Sequence, residues 1–181
     1  SRRQRQMCIR DSVMCRGYYT RTVLAAYDWN GKELKERWIF DSNHPGCEDY
    51  AGQGNHNLRV GDVDGDGCDE IIYGSCAIDH NGKGLYTTKM GHGDAIHLTH
   101  FDPSRKGLQV WDCHENKRDG STYRDAATGE ILFQIKDSTD VGRCMAADID
   151  PTQPGVEMWS LASGGIRNIC LLYTSPSPRD A

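Results

Sequence analysis

Apolar residues along this chain fall in short runs rich in β-branched and aromatic side chains, broken by glycine, asparagine and aspartate, with no long stretch at helical spacing. Three segments align without gaps: Val60–Tyr73, Leu98–Trp111 and Ala146–Trp159. Each predicts a strand, a tight polar turn, a second strand and a closing aromatic. A second unit lies between them, with Asn30-Gly31, Asn81-Gly82 and Thr128-Gly129 as hairpin turns between apolar runs. The two units alternate at about forty to fifty residues, the length of a four-stranded propeller blade. The expected fold is therefore all-β, about three blades of a ring that closed propellers complete with roughly four to eight.

The turn of the first repeat, Asp62-Val-Asp64-Gly-Asp66-Gly-Cys-Asp69-Glu70, places carboxylates at alternate positions, a crowding of charge that a bound cation relieves. It reads as a calcium loop feeding a strand. An EF-hand is excluded, because the twelfth position is Tyr73 instead of a bidentate Glu and the flanks are β-branched. Asp62, Asp64, Asp66 and Glu70 form the best-defined structural calcium set. Asp148, Asp150 and Glu157 form a weaker one, since Pro151 and Thr152 replace the Gly-Asp pair. In the second repeat His100 and Ser104 stand in ligand positions, so Asp102-Pro103 predicts only a turn.

Composition changes this picture mainly at the ends. Residues 1–12 and 170–181 resemble translated adapters of shotgun sequencing libraries, leaving 13–169 as the natural segment, a partial propeller domain. Those ends carry five arginines against two aspartates, so the formal charge of −5 becomes −8 for the remainder. An acidic segment whose charge sits in cation loops argues against nucleic acid as partner. No apolar run approaches a membrane span. Six cysteines remain (Cys15, Cys47, Cys68, Cys76, Cys113 and Cys144) without CxxC or zinc-finger spacing, as thiols or as disulfides.

The residues leading into each acidic-turn strand are expected at one mouth of a central channel, and chemistry gathers there. His56-Asn57 precede the first such strand, His92-Gly93-Asp94 the second and Gly142-Arg143 the third, while Glu115 follows the second repeat. The constellation is two imidazoles, two carboxylates and a guanidinium. Read from the residues alone, two His with carboxylates suit zinc, manganese or iron, because calcium prefers oxygen. Arg143 either forks onto a carboxylate of the substrate or forms a structural salt bridge. Arg16 and Arg21 flank a Tyr18-Tyr19 pair and either approach a ligand or pack with exposed heads. His97, His100 and His114 are left with no role beyond a channel wall or support of the ligands.

Arg16-Gly-Tyr-Tyr-Thr-Arg21, Gly54-Asn-His-Asn-Leu58, Gly84-Leu-Tyr-Thr-Thr88, Gly91-His-Gly-Asp-Ala95 and Asp102-Pro-Ser-Arg105, with the Asp62 loop, resemble the rhamnogalacturonan lyases of polysaccharide lyase family 11. The resemblance spans nearly all of residues 13–169. It implies an eight-bladed β-propeller with several calcium ions, secreted when intact and monomeric at full length. It also implies cleavage of the rhamnose–galacturonate backbone of pectin by β-elimination. By that resemblance His56, His92, Asp94 and Glu115 hold an active-site calcium, Arg143 and Asn57 bind substrate, and the base that takes the C5 proton lies outside this segment. The alternative is a non-catalytic, calcium-stabilised propeller for carbohydrate binding or adhesion.

Overall fold

A computed structural model describes residues 11–162, 165–168 and 173–175. Four antiparallel sheets follow one another along the chain, each with its strands in sequence order. The first contains β1 (Asp11–Gly17), β2 (Val23–Trp29) and β3 (Leu34–Asp41). The second contains β4 (Arg59–Gly61), β5 (Glu70–Tyr73), β6 (Cys76–Ile78) and β7 (Gly84–Thr87). The third contains β8 (Gly93–Thr99), β9 (Gln109–His114), β10 (Ser121–Asp125) and β11 (Ile131–Ile135). The fourth contains β12 (Cys144–Ala147), β13 (Glu157–Ser160), β14 (Ile166–Asn168) and β15 (Tyr173–Ser175). A single 3₁₀ turn, Glu48–Tyr50, is the one helical element among the described residues.

The all-β expectation holds, but the three blades of an eight-bladed propeller do not. The described residues form four separate sheets and close no ring or barrel. The repeat count fell short for a physical reason: turns of the counted motif join β4 to β5, β8 to β9 and β12 to β13, whereas β1 and β2 are joined by residues 18–22. The first sheet therefore carries no copy of the motif that was counted. The expected ends at 1–12 and 170–181 are in part outside the described residues; within them, Asp11 and Ser12 pair in β1, and Tyr173–Ser175 pair with β14.

Alternation along the strands explains why the apolar runs are continuous. Ile71, Tyr73, Cys76 and Ile78 pack with Leu24 and Phe40 between the first and second sheets. Their neighbours Ile72 and Ala77 point to the other face and pack with Ile96 and Val110 of the third sheet and with Ala126 just after β10. Trp111, Cys113 and Tyr123 face Cys144 and Met158 of the fourth. Strands β5, β6 and β9 are buried throughout, because a sheet is packed on both of their faces. The opening strands β4, β8 and β12 lie beside one another, which brings the segments that precede them together.

Candidate metal centre

His56 lies in the segment before β4, His92 directly before β8, Asp94 within β8 and Glu115 directly after β9. Three backbone links hold these segments in place. Asn55 bridges Gly93, Glu115 N–H donates to His92 O at 3.2 Å, and Val141 N–H donates to His114 O at 3.3 Å. Gly93 permits a close approach: a Cβ there would stand 2.1 Å from Cys113 O. Below the site, Asn55 Nδ2 donates to Asp112 Oδ1 at 3.2 Å, and the fully buried Arg124 donates to Asp112 Oδ2 at 3.0 Å.

The four side chains converge: one ligand atom from each of His56, His92, Asp94 and Glu115 lies within 4.8 Å of the others. His92 Nδ1 donates to Gly54 O at 2.8 Å, which leaves Nε2 with its lone pair, and that buried atom has no hydrogen-bond partner. His92 Nε2 stands 3.4 Å from Glu115 Oε1, and His56 Nε2 stands 3.2 Å from Asp94 Oδ1. Burial, then the charges of Asp94 and Asp140, push the Glu115 carboxyl above its ordinary range, although His92 opposes this. An orphaned imidazole nitrogen facing an energetically raised carboxyl is a donor set that a divalent cation fits.

Of the residues expected to bind substrate, Arg143 is exposed and stands 3.5 Å from Asp94 Oδ2, while Asn57 is exposed. Sequence reasoning missed Asp140 and the full part of the tyrosines. The Tyr19 ring lies 4.2 Å from that of His92, and its hydroxyl is 3.2 Å from His56 Nε2. Tyr18 stacks on His92 at 5.3 Å. The Arg-Tyr-Tyr pattern was the available signal, but Arg21 turns away to Asp41, donating from Nε at 2.9 Å and holding that carboxyl well below the carboxylate range. His114 is buried between Ser75 Oγ and Thr122 Oγ1.

The acidic turns divide. Asp62, Asp64 and Asp66 come together within 4.8 Å, with Asp62 and Asp64 also accepting backbone N–H bonds from Gly65, Gly67 and Asp66. Asp148, Asp150 and Glu157 form no such group among the described residues. Asp150 Oδ1 is taken up by Thr152, and Glu157 Oε2 by the N–H groups of Ile149 and Asp150.

The sequence model of the rhamnogalacturonan lyase family 11 C-terminal domain matches residues 9–172. The chain is 61% identical over 155 residues to rhamnogalacturonan exolyase YesX of Bacillus subtilis, covering 84% of this chain and 25% of that protein. It is 54% identical over 153 residues to rhamnogalacturonan endolyase YesW of the same organism, covering 83% and 25%. Among solved structures, the rhamnogalacturonan lyase PL11 of Bacillus licheniformis superposes with a TM-score of 0.81 at 56% identity, over 86% of this chain and 27% of that one. The chain thus spans a quarter of the length of the curated relatives that it matches. With a family match that runs through every described sheet, this chain belongs to rhamnogalacturonan lyase family 11.

Proposed function

We propose that this segment supplies the cation-centred part of a site that cleaves rhamnogalacturonan by β-elimination. His56, His92, Asp94 and Glu115 would hold the ion; the observation that carries this is their convergence around the unpartnered Nε2 of His92. A cation bound there would supply positive charge beside the galacturonate carboxylate, which favours loss of the C5 proton. Calcium is proposed from the family, with zinc or manganese as the competing choice on donor chemistry. The exposed guanidinium of Arg143 presents a planar fork for a uronate carboxylate. Tyr18 and Tyr19 pack against the two imidazole rings and limit their rotation. His56 and His92 are committed as ligands, so the base is assigned to the part of the full-length protein beyond this segment. Asp62, Asp64 and Asp66 are proposed to hold a structural calcium. The non-catalytic binding module is not favoured, because both curated relatives are lyases by name.

The test is a full-length YesX in which residues 13–169 of this chain replace the matching segment. Unsaturated uronate should form from rhamnogalacturonan and vanish with chelator or His92→Ala. A saturated product, or undiminished turnover by the His92→Ala chimera, would refute the reading.

A further inference from the structure

Tyr19, in the connection between β1 and β2, lays its ring against the cation cluster and is nevertheless 55% exposed. One face rests on His92, with 4.2 Å between ring centres. The half-buried Tyr18 packs on Tyr19, His56 and His92 at 4.9, 4.8 and 5.3 Å, so the outer face of Tyr19 is left to solvent. The backbone beneath the ring is fixed. Gly52, at a φ of +69°, would put a Cβ 2.7 Å from Tyr19 O, and a Cβ on Gly54 would stand 2.7 Å from that of Tyr18, so bare glycines let this connection lie on the segment that leads to His56. Its far end is tied by Thr22 and Ser42, whose N–H groups bond to Ser42 Oγ and Thr22 O at 3.0 Å each. A large apolar face held out to water on a rigid support is preorganised for contact with a ligand.

We infer that Tyr19 is the platform for the rhamnose that departs in the elimination, and so selects rhamnogalacturonan over a chain of galacturonate alone; this rests on the β-elimination reading of the same site. Loss of the C5 proton breaks the C4–O4 bond of galacturonate. In rhamnogalacturonan the sugar on that oxygen is rhamnose, which is neutral and carries a methyl group where galacturonate carries a carboxylate. The two exposed groups at the cluster divide accordingly. Arg143 stands 3.5 Å from Oδ2 of Asp94, whereas Tyr19 reaches the other oxygen through His56, whose Nε2 is 3.2 Å from both Tyr19 Oη and Asp94 Oδ1. The galacturonate carboxylate belongs with the cation and the guanidinium, and the methyl-bearing sugar with the ring. Desolvation first, and then the charges of Glu115, Asp94 and Asp140, raise the phenol above its ordinary range, so the ring lies among carboxylates that repel a second uronate. An ion on His56 Nε2 takes the lone pair that the Tyr19 hydroxyl meets and frees that O–H for a hydroxyl of the sugar.

The test uses the Ca²⁺-loaded YesX chimera and the disaccharide of galacturonate linked to a reducing-end rhamnose, which is not cleaved because its galacturonate carries no sugar on O4. Galacturonate alone is the comparison. Tyr19→Ala should weaken disaccharide binding by ~2–10-fold in calorimetry, the range of an aromatic contact. Galacturonate binding and bound Ca²⁺ should stay as in the parent, since Tyr18 remains on both imidazoles, and Tyr19→Phe should keep most of the disaccharide affinity. In turnover, Tyr19→Ala should raise KM for rhamnogalacturonan and shrink its advantage over polygalacturonate in kcat/KM. A parent that does not bind the disaccharide, both ligands weakened alike, no change in Tyr19→Ala, or Ca²⁺ lost in step with binding would overturn the inference. Binding is read apart from turnover. A chimera that makes no unsaturated product, yet loses the disaccharide with Tyr19→Ala, refutes the lyase reading alone.

Discussion

Glu115 illustrates how one residue can report on an ion. Its carboxyl is raised in the folded chain by burial and by Asp94 and Asp140, so it adds stability while protonated and loses that contribution as pH rises through its folded value. In chelator, Glu115→Gln should therefore unfold at a higher temperature than the parent near pH 7. The gap should close as pH falls towards the ordinary Glu range of ~4.3. With a cation present the order should reverse, because the amide supplies a weaker oxygen. Thermal unfolding from pH 4 to 8, with and without Ca²⁺, checks both signs. Arg124 gives a second residue-scale expectation. Its loss in Arg124→Ala leaves Asp112 charged and buried, at a cost of ~3–5 kcal/mol measured by denaturant unfolding. It should also weaken cation binding through Asn55, the neighbour of His56.

Each acidic turn is latched by one buried side chain at the start of the strand that follows it. Glu70 accepts from Val63 N–H, Gln109 from Phe101 and Asp102, and Glu157 from Ile149 and Asp150. Gln109→Leu should cost ~1–3 kcal/mol by stranding the buried N–H of Phe101 and the half-buried N–H of Asp102, without touching any proposed ligand. Gly93→Ala should cost both stability and cation affinity, since its Cβ would collide with Cys113 O and displace the head of β8. The strands, their turns and the four-residue cluster were legible in the sequence, because β-branched runs, Asn-Gly pairs and the Gly91-His92-Gly93-Asp94 string are local signals. The latch was not. A gapless alignment sets Glu70 against Leu108, whereas the paired residues Gly61–Glu70, Thr99–Gln109 and Ala147–Glu157 show that the later turns are one residue longer.

At the scale of the whole molecule, each sheet packs against the sheets next to it in sequence, and no disulfide crosslinks the described residues. Stability therefore rests on the intersheet cores, and Ile72→Ala, a full deletion between the second and third sheets, should cost ~2–5 kcal/mol in denaturant unfolding. Exposed apolar side chains persist on the opening strands, Val60 on β4 and Met145 on β12.

The short link of residues 88–92 between β7 and β8 has a consequence for assembly. A single peptide cleavage after Lys89 would leave His56 on one piece and His92, Asp94 and Glu115 on the other. An ion held by the proposed ligands would then act as a clasp across a break in the covalent chain, and the severed halves should co-elute in calcium and part at lower denaturant once it is stripped away.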